Sequence, residues 1–135
     1  MKLLVDTNVL LEIMLEQEKA EEARTFLAKT ETHEFFLTDY SLHSIGLLLL
    51  RRRQPRVFQQ FLRDMVLNGI LRGISLAVED MEGLIEVALR FELDFDDAYQ
   101  YTAAEKYDLT IVSFDSDFDR TQRGRKTPTE VLQER

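Results

Sequence analysis

Four short apolar runs constrain the fold of this chain more than any other feature. They are Leu3-Leu4-Val5, Phe35-Phe36-Leu37-Thr38, Ile74-Ser75-Leu76-Ala77-Val78 and Thr110-Ile111-Val112-Ser113-Phe114. None alternates strictly between apolar and polar residues. A strand with one wet face alternates, whereas a near-continuous apolar strand is expected where helices cover both faces of a parallel sheet. Helical patterns lie between the runs. Residues 18–29 space Ala20, Ala23, Phe26 and Leu27 for one helix face. Pro55 suits a first helical turn, and Val57, Phe58, Phe61, Leu62, Met65 and Val66 continue the pattern until Asn68-Gly69. Met81, Leu84, Ile85, Ala88 and Leu89 repeat it. Residues 96–107 form another candidate helix that opens on Asp96-Asp97. A helix over 39–53 contains Leu47 to Leu50. Four consecutive leucines at ~100° each wrap most of a helix, which predicts burial nearly all round or a partner. The 135 residues show no linker, repeat or low-complexity tract. The reading is therefore one α/β domain over 1–135, with a central, mostly parallel sheet of four or five strands between helical layers.

Composition removes several chemistries. There is no cysteine and there are two histidines, so disulfides, zinc–thiolate sites and thiol nucleophiles are excluded, as is a His-rich metal site. No apolar run approaches the ~20 residues that span a bilayer. The N-terminus meets Asp6 too early for a signal peptide, and the chain reads as cytoplasmic, with no membrane partner. Asp and Glu total 25 against 17 Lys and Arg, a net charge of −8. That balance opposes general phosphate binding and raises the question of what the surplus carboxylates do.

Their positions are informative. Ligands of open parallel sheets bind outside the carboxyl ends of the strands. Asp6 follows the first run, Asp39 the second, and Asp115 the fourth, with Asp117 and Asp119 behind it. Asp96 and Asp97 open the helix that leads into the fourth run, so its first turn faces the same edge. Each acid has a plain alternative as a cap or a complement to a helix dipole. Together they predict convergence. Clustered carboxylates repel and raise one another's pKa, and a hard divalent cation, Mg²⁺ or Mn²⁺, removes that conflict. A calcium EF-hand fits only the opening spacing of Asp115-Ser116-Asp117-Phe118-Asp119. Its sixth position is Arg120 instead of Gly, and its twelfth is Lys126 instead of Glu. A phosphatase of the haloacid-dehalogenase type needs a second Asp where Asn8 stands. A receiver domain needs a Lys closer to the acids than Lys126.

Leu4-Val5-Asp6-Thr7-Asn8-Val9-Leu10-Leu11 resembles the opening motif of PIN domains, a family of metal-dependent ribonucleases. Asp97-Ala98-Tyr99-Gln100-Tyr101-Thr102-Ala103-Ala104 resembles the family's third motif, and Ser113-Phe114-Asp115-Ser116-Asp117-Phe118 its last. Lys126-Thr127-Pro128-Thr129-Glu130-Val131-Leu132 resembles the usual C-terminal end. The resemblance covers essentially the whole chain and implies a three-layer α/β/α fold. It implies Asp6, Asp97 and Asp115 as catalytic metal ligands, joined by Asp117. Thr7, Asn8 and Ser113, with Asp96, would support them. It further implies hydrolysis of RNA by a metal-activated water, leaving a 5′-phosphate. Many small single-domain members are VapC-like toxins, which implies a homodimer and a small antitoxin protein that fills the acidic cleft.

One position departs from the pattern. The family usually has a Glu in the helix after the second strand, and here Ser44 stands there. A hydroxyl supplies no charge, though Asp39 or His43 lies close enough in sequence to compensate. The alternative is therefore a PIN-fold RNA- or protein-binding module with weakened catalysis. Arg51-Arg52-Arg53 and Arg56 suit a helix C-terminus. Arg120, Arg123, Arg125 and Lys126 follow the last acidic motif and are the candidates for RNA phosphate contacts. Tyr40 and Phe114 lie near strand ends, where a base could stack.

Overall fold

A computed structural model describes residues 1–134. The elements are β1 (Lys2–Val5), α1 (Thr7–Met14), α2 (Ala20–Leu27), β2 (Glu34–Thr38), α3 (Asp39–Arg51), α4 (Pro55–Phe61), β3 (Leu71–Ile74), α5 (Met81–Phe91), α6 (Phe95–Tyr107), β4 (Thr110–Val112) and α7 (Pro128–Gln133). A π-helical turn, Leu62–Leu67, extends α4, and short 3₁₀ turns cover Val78–Asp80 and Ser116–Arg120. The strands form one parallel sheet in the order β3-β2-β1-β4.

The apolar runs are continuous because both faces of the sheet are covered. Leu3, Val5, Phe35, Leu37 and Val112 join one core with Val9 and Leu10 of α1, Phe26 of α2, Ile45 and Leu49 of α3, Phe61 of α4 and Val131 of α7. Leu4 and Ile111 point the other way, into a core with Leu84 of α5 and Ala98, Tyr101 and Ala104 of α6. The result is the three-layer α/β/α arrangement.

Two local expectations change, and helix α1 has no counterpart in the sequence reading. The third strand lies at Leu71–Ile74 instead of 74–78. Leu71 is buried opposite Phe35, which sets the register, while Val78 stands 84% exposed beyond the strand end. Helix α1 begins one residue after β1, with Asp6 as N-cap, and carries its buried Val9 and Leu10 on one side. Helix α3 is not buried all round. Ser41, Ile45, Gly46 and Leu49 form its buried face, and Leu47 and Leu50 are 55% and 58% exposed.

Helices α3 and α4 meet at Gly46. A Cβ there would lie 2.9 Å from Cζ of Phe58. The ring is only half-buried and can shift, so Gly46→Ala is expected to cost about 1 kcal/mol, the low end for overpacking. Urea denaturation should show this loss, and Phe58→Leu in the same chain should cancel it. Additive losses in the double variant would reject this contact as the cause.

Candidate metal centre

Strand order reverses between β1 and β4, since the chain steps from β1 to β2 to β3 and then crosses to the far side of β1. Such a switch point leaves a crevice at the carboxyl edge. Asp6 leaves β1 into it. Its carboxylate accepts the Thr7 N–H at 2.9 Å and the Ser113 hydroxyl at 2.7 Å. The Gln100 side-chain amide donates to it at 2.9 Å, and Asn8 at 3.4 Å. Burial pushes the Asp6 carboxyl above its ordinary pKa, the bonds from Gln100, Ser113 and Thr7 oppose this, and the charge of Asp115 adds to the rise.

Ser113, just beyond β4, organises the other side. Its hydroxyl accepts from Asn8 at 3.0 Å and from the Asp115 N–H at 2.9 Å. Asn8 in turn accepts the Phe114 N–H at 3.2 Å. Asp115 caps the following 3₁₀ turn by accepting the Asp117 N–H at 2.8 Å. This turn brings Asp117 back beside Asp115. Asp97, in the first turn of α6, completes the group. Carboxylate oxygens of Asp97, Asp115 and Asp117 all lie within 4.8 Å of one another. Asp97 is only 8% exposed. Its carboxyl is pushed up to about 8, first by burial and then by the charges of Asp115, Asp96, Asp6 and Asp117.

The donor set consists of hard carboxylate oxygens that repel one another in a half-buried crevice. That chemistry fits a hard divalent cation, whose charge would offset the repulsion. The crevice encloses about 220 Å³, with Asp6, Asp96, Asp97 and Asp115 in its walls beside Thr7, Asn8, Tyr40 and Ser44.

Other sequence candidates sit elsewhere. Asp39 is held away from the group, accepting the Tyr99 hydroxyl at 2.6 Å and the Tyr40 N–H at 2.9 Å. Burial and that bond raise the Tyr99 phenol to about 12. His43 is exposed on α3. Phe114 faces the first core, with the Lys19 ammonium 4.6 Å from its ring centroid. The basic residues after the last acidic motif have intramolecular partners. Arg120 binds Asp117 at 3.1 Å, and Arg123 binds Asp108 at 3.0 Å. Arg125, 16% exposed, bridges Asp119 and the Ser113 carbonyl. Lys126 pairs with Glu134.

Gln100 was invisible as a site residue from sequence. Buried in α6, it donates to Asp6 and to the Ser41 hydroxyl at 2.8 Å, and accepts from Thr38 at 2.7 Å. Thr7 also donates to Ser41 at 2.8 Å. The available signal was spacing, because Gln100 lies three residues after Asp97 and so on the same helix face.

Two outcomes follow. An Asp97 carboxyl with a folded pKa near 8 holds a proton that the unfolded chain has released above about pH 4. Folded protein then binds more protons than unfolded protein, so metal-free stability falls as pH rises from about 4 to 8. Thermal melts in EDTA should show this fall, and Asp97→Asn should flatten it and raise Tm at pH 8 by about 3–8 °C. An unchanged pH slope would refute the assignment to Asp97. Gln100→Ala leaves a buried carboxylate and two hydroxyls short of partners and should cost about 2–3 kcal/mol in urea.

The comparisons agree with this architecture. The PIN domain family model matches residues 3–124. No curated protein sequence gives a significant match. Among solved structures, VapBC2 from Rickettsia felis, bound to a promoter DNA fragment, superposes with a TM-score of 0.76 at 13% identity, covering 93% of this chain and 97% of that one. VapC20 from Mycobacterium tuberculosis, described as a sarcin–ricin-loop-cleaving toxin, gives 0.72 at 19% identity over 87% and 92%. FitAcB from Neisseria gonorrhoeae gives 0.72 at 20% identity over 94% and 98%. With a family match over nearly the whole length, and with the acids of its motifs gathered at one sheet edge, the chain belongs to the PIN domain family.

Proposed function

We propose that this chain is a Mg²⁺- or Mn²⁺-dependent endoribonuclease and the toxin of a toxin–antitoxin pair. The observation that carries the reading is the meeting of Asp97, Asp115 and Asp117 within 4.8 Å, beside a buried Asp6. When bound, the cation supplies charge that offsets the phosphoryl oxygens and acidifies a water for in-line attack. Asp6, Asp97 and Asp115 are the proposed catalytic ligands, with Asp117 beside them. Gln100, Ser113 and Thr7 fix the Asp6 carboxylate in one orientation by three hydrogen bonds. Asn8 holds Ser113, and Ser113 holds the backbone of Asp115. Asp96 adds negative charge at the rim.

RNA phosphates would be met by Arg120 and Arg123. Their ion pairs are exposed, and exposed pairs contribute only ~0–1 kcal/mol, so a phosphate can displace them. Arg125 braces the loop through Ser113 and Asp119.

Two partner surfaces support the toxin reading. An apolar hollow of about 300 Å³ between α1, α2 and α4, walled by Leu10, Ile13, Met14, Leu27, Phe61 and Met65, would be covered by an antitoxin segment. A solved neighbour from Klebsiella pneumoniae is described as a toxin-antitoxin complex. Val78, Ile85 and Leu89 are 84%, 54% and 78% exposed around α5 and would suit a second copy of the chain.

Ser44 favours the second reading, a binding module with weakened catalysis. It lies in the crevice wall, where a glutamate would have added a fifth acid to Asp6, Asp96, Asp97 and Asp115. Cleavage of a structured RNA separates the readings. The expected result is cleavage with Mn²⁺ that EDTA abolishes, reduced in Asp6→Asn by at least about 100-fold, the upper end for loss of an outer-partner bond. Ser44→Glu should raise activity at limiting Mn²⁺. Equal cleavage by wild type and Asp6→Asn would sink the nuclease assignment.

A further inference from the structure

Phe95 is the first residue of α6, two positions before Asp97, and leaves 54% of its surface in water. Its ring centroid lies 6.1 Å from that of Tyr40 and 6.2 Å from that of Tyr99. Tyr40 and Tyr99 are 5.6 Å apart, completing a cluster of three rings. Tyr40 also lines the acidic crevice. Tyr99 anchors the cluster, since its hydroxyl donates to Asp39 at 2.6 Å and accepts the Leu76 N–H at 3.0 Å. The inner ring is thus fixed by hydrogen bonds and the outer ring stays accessible.

The two ring contacts of Phe95 leave more than half of its surface unexplained by packing. The first position of a helix carries no packing requirement, and Phe95 lies outside both buried cores. An apolar ring held half in water, on a fixed support and beside a carboxylate cluster, gains most from a flat neutral group laid on its face. A nucleobase is such a group. Unpaired bases stack on aromatic side chains regardless of their sequence. Being uncharged, a base also escapes the repulsion that Asp96 and Asp97 exert on a phosphate.

We propose that Phe95 and Tyr40 form a stacking subsite for an unpaired nucleobase next to the phosphodiester held at the carboxylates. The inference rests on the nuclease reading for its substrate class. It places the bound RNA single-stranded at the crevice rim and makes Phe95 a positioning residue, since its ring grips the base flanking the cut.

The probe is a hexaribonucleotide carrying one 2-aminopurine, titrated in Ca²⁺ so that binding is read instead of cleavage. Stacking should quench the 2-aminopurine fluorescence of the wild-type complex. Phe95→Leu keeps apolar bulk and removes the aromatic face. It should weaken binding about tenfold and restore most of the fluorescence, within the range for losing one stacked base. Phe95→Trp should retain both affinity and quenching. Wild-type quenching in Phe95→Leu would overturn the proposal. So would a wild-type dimer that Phe95→Ala turns monomeric in sedimentation, because a second copy would then cover the ring. Mn²⁺-dependent cleavage is measured on the same proteins. Intact quenching with no cleavage supports the stacking subsite and overturns the nuclease reading. Cleavage with no quenching overturns the subsite alone.

Discussion

Electrostatic repulsion between carboxylates in a half-buried crevice is the constraint on which the rest of this structure depends. Asp6 and Asp97 are both buried, and each is pushed upward by burial and by its acidic neighbours. The fold answers the two acids differently. Asp6 receives three short hydrogen bonds that favour its charged form. Asp97 has every dominant influence against its charge, which the proposed cation would offset. The surrounding polar framework serves the first purpose. Gln100, Ser41, Thr38 and Thr7 form a connected set of bonds joining α6, α3, β2 and α1 beneath Asp6. A buried hydrogen-bonded network of this kind fixes geometry that apolar packing would leave loose.

Much of this was legible in the sequence, for reasons that differ by residue. Leu3 to Val5 and Thr110 to Val112 announce a two-sided parallel sheet because alternate residues feed different cores, so neither face can be polar. Asp6 and Asp115 were placed together because a parallel sheet sends every strand end to one edge, and Asp97 joined them because the helix leading into the fourth strand starts at that edge. The third strand was misplaced because Ile74 to Val78 is more apolar than Leu71 to Ile74, which Arg72 and Gly73 interrupt. Only pairing with Phe35 to Thr38 selects the latter. The four leucines of α3 carried the same ambiguity. Composition shows that they are apolar, and only the neighbouring helices determine that Leu49 is buried while Leu47 and Leu50 face water. Gln100 and Ser41 were missed because a helical glutamine or serine is marked at most by its spacing from a site residue, as Gln100 is from Asp97, and its partners are set by tertiary structure. Helix α7 was missed although its start is well marked, with Thr127 and Glu130 forming a reciprocal cap around Pro128.

The basic residues show how one sequence neighbourhood can carry structural bonds beside its proposed chemistry. Arg120, Arg123, Arg125 and Lys126 follow the acidic motif, yet each meets an acid or a carbonyl within the chain. Their first effect is structural. Arg120 ties the 3₁₀ turn to the end of α5 through the Phe91 and Glu92 carbonyls, and Arg125 ties the loop to Ser113. Both therefore help to hold Asp115 and Asp117 in place. On the proposed reading, a residue that orders the carboxylates would contribute to the metal centre as surely as one that touches RNA.

The net charge of −8 acquires a different meaning at this point. Spread over a surface, such a surplus would repel RNA at Debye-length range, about 8 Å at physiological ionic strength. Concentrated at one sheet edge, part of it becomes a site whose sign depends on what it holds. A cation that binds the folded chain and not the unfolded one stabilises the fold by mass action. On the proposed nuclease reading, the same event would reverse the local field that a phosphate meets. On that reading, folding stability and substrate affinity would then be linked through one group of oxygens, and the position of Asp97, unfavourable for the metal-free fold, would strengthen that link.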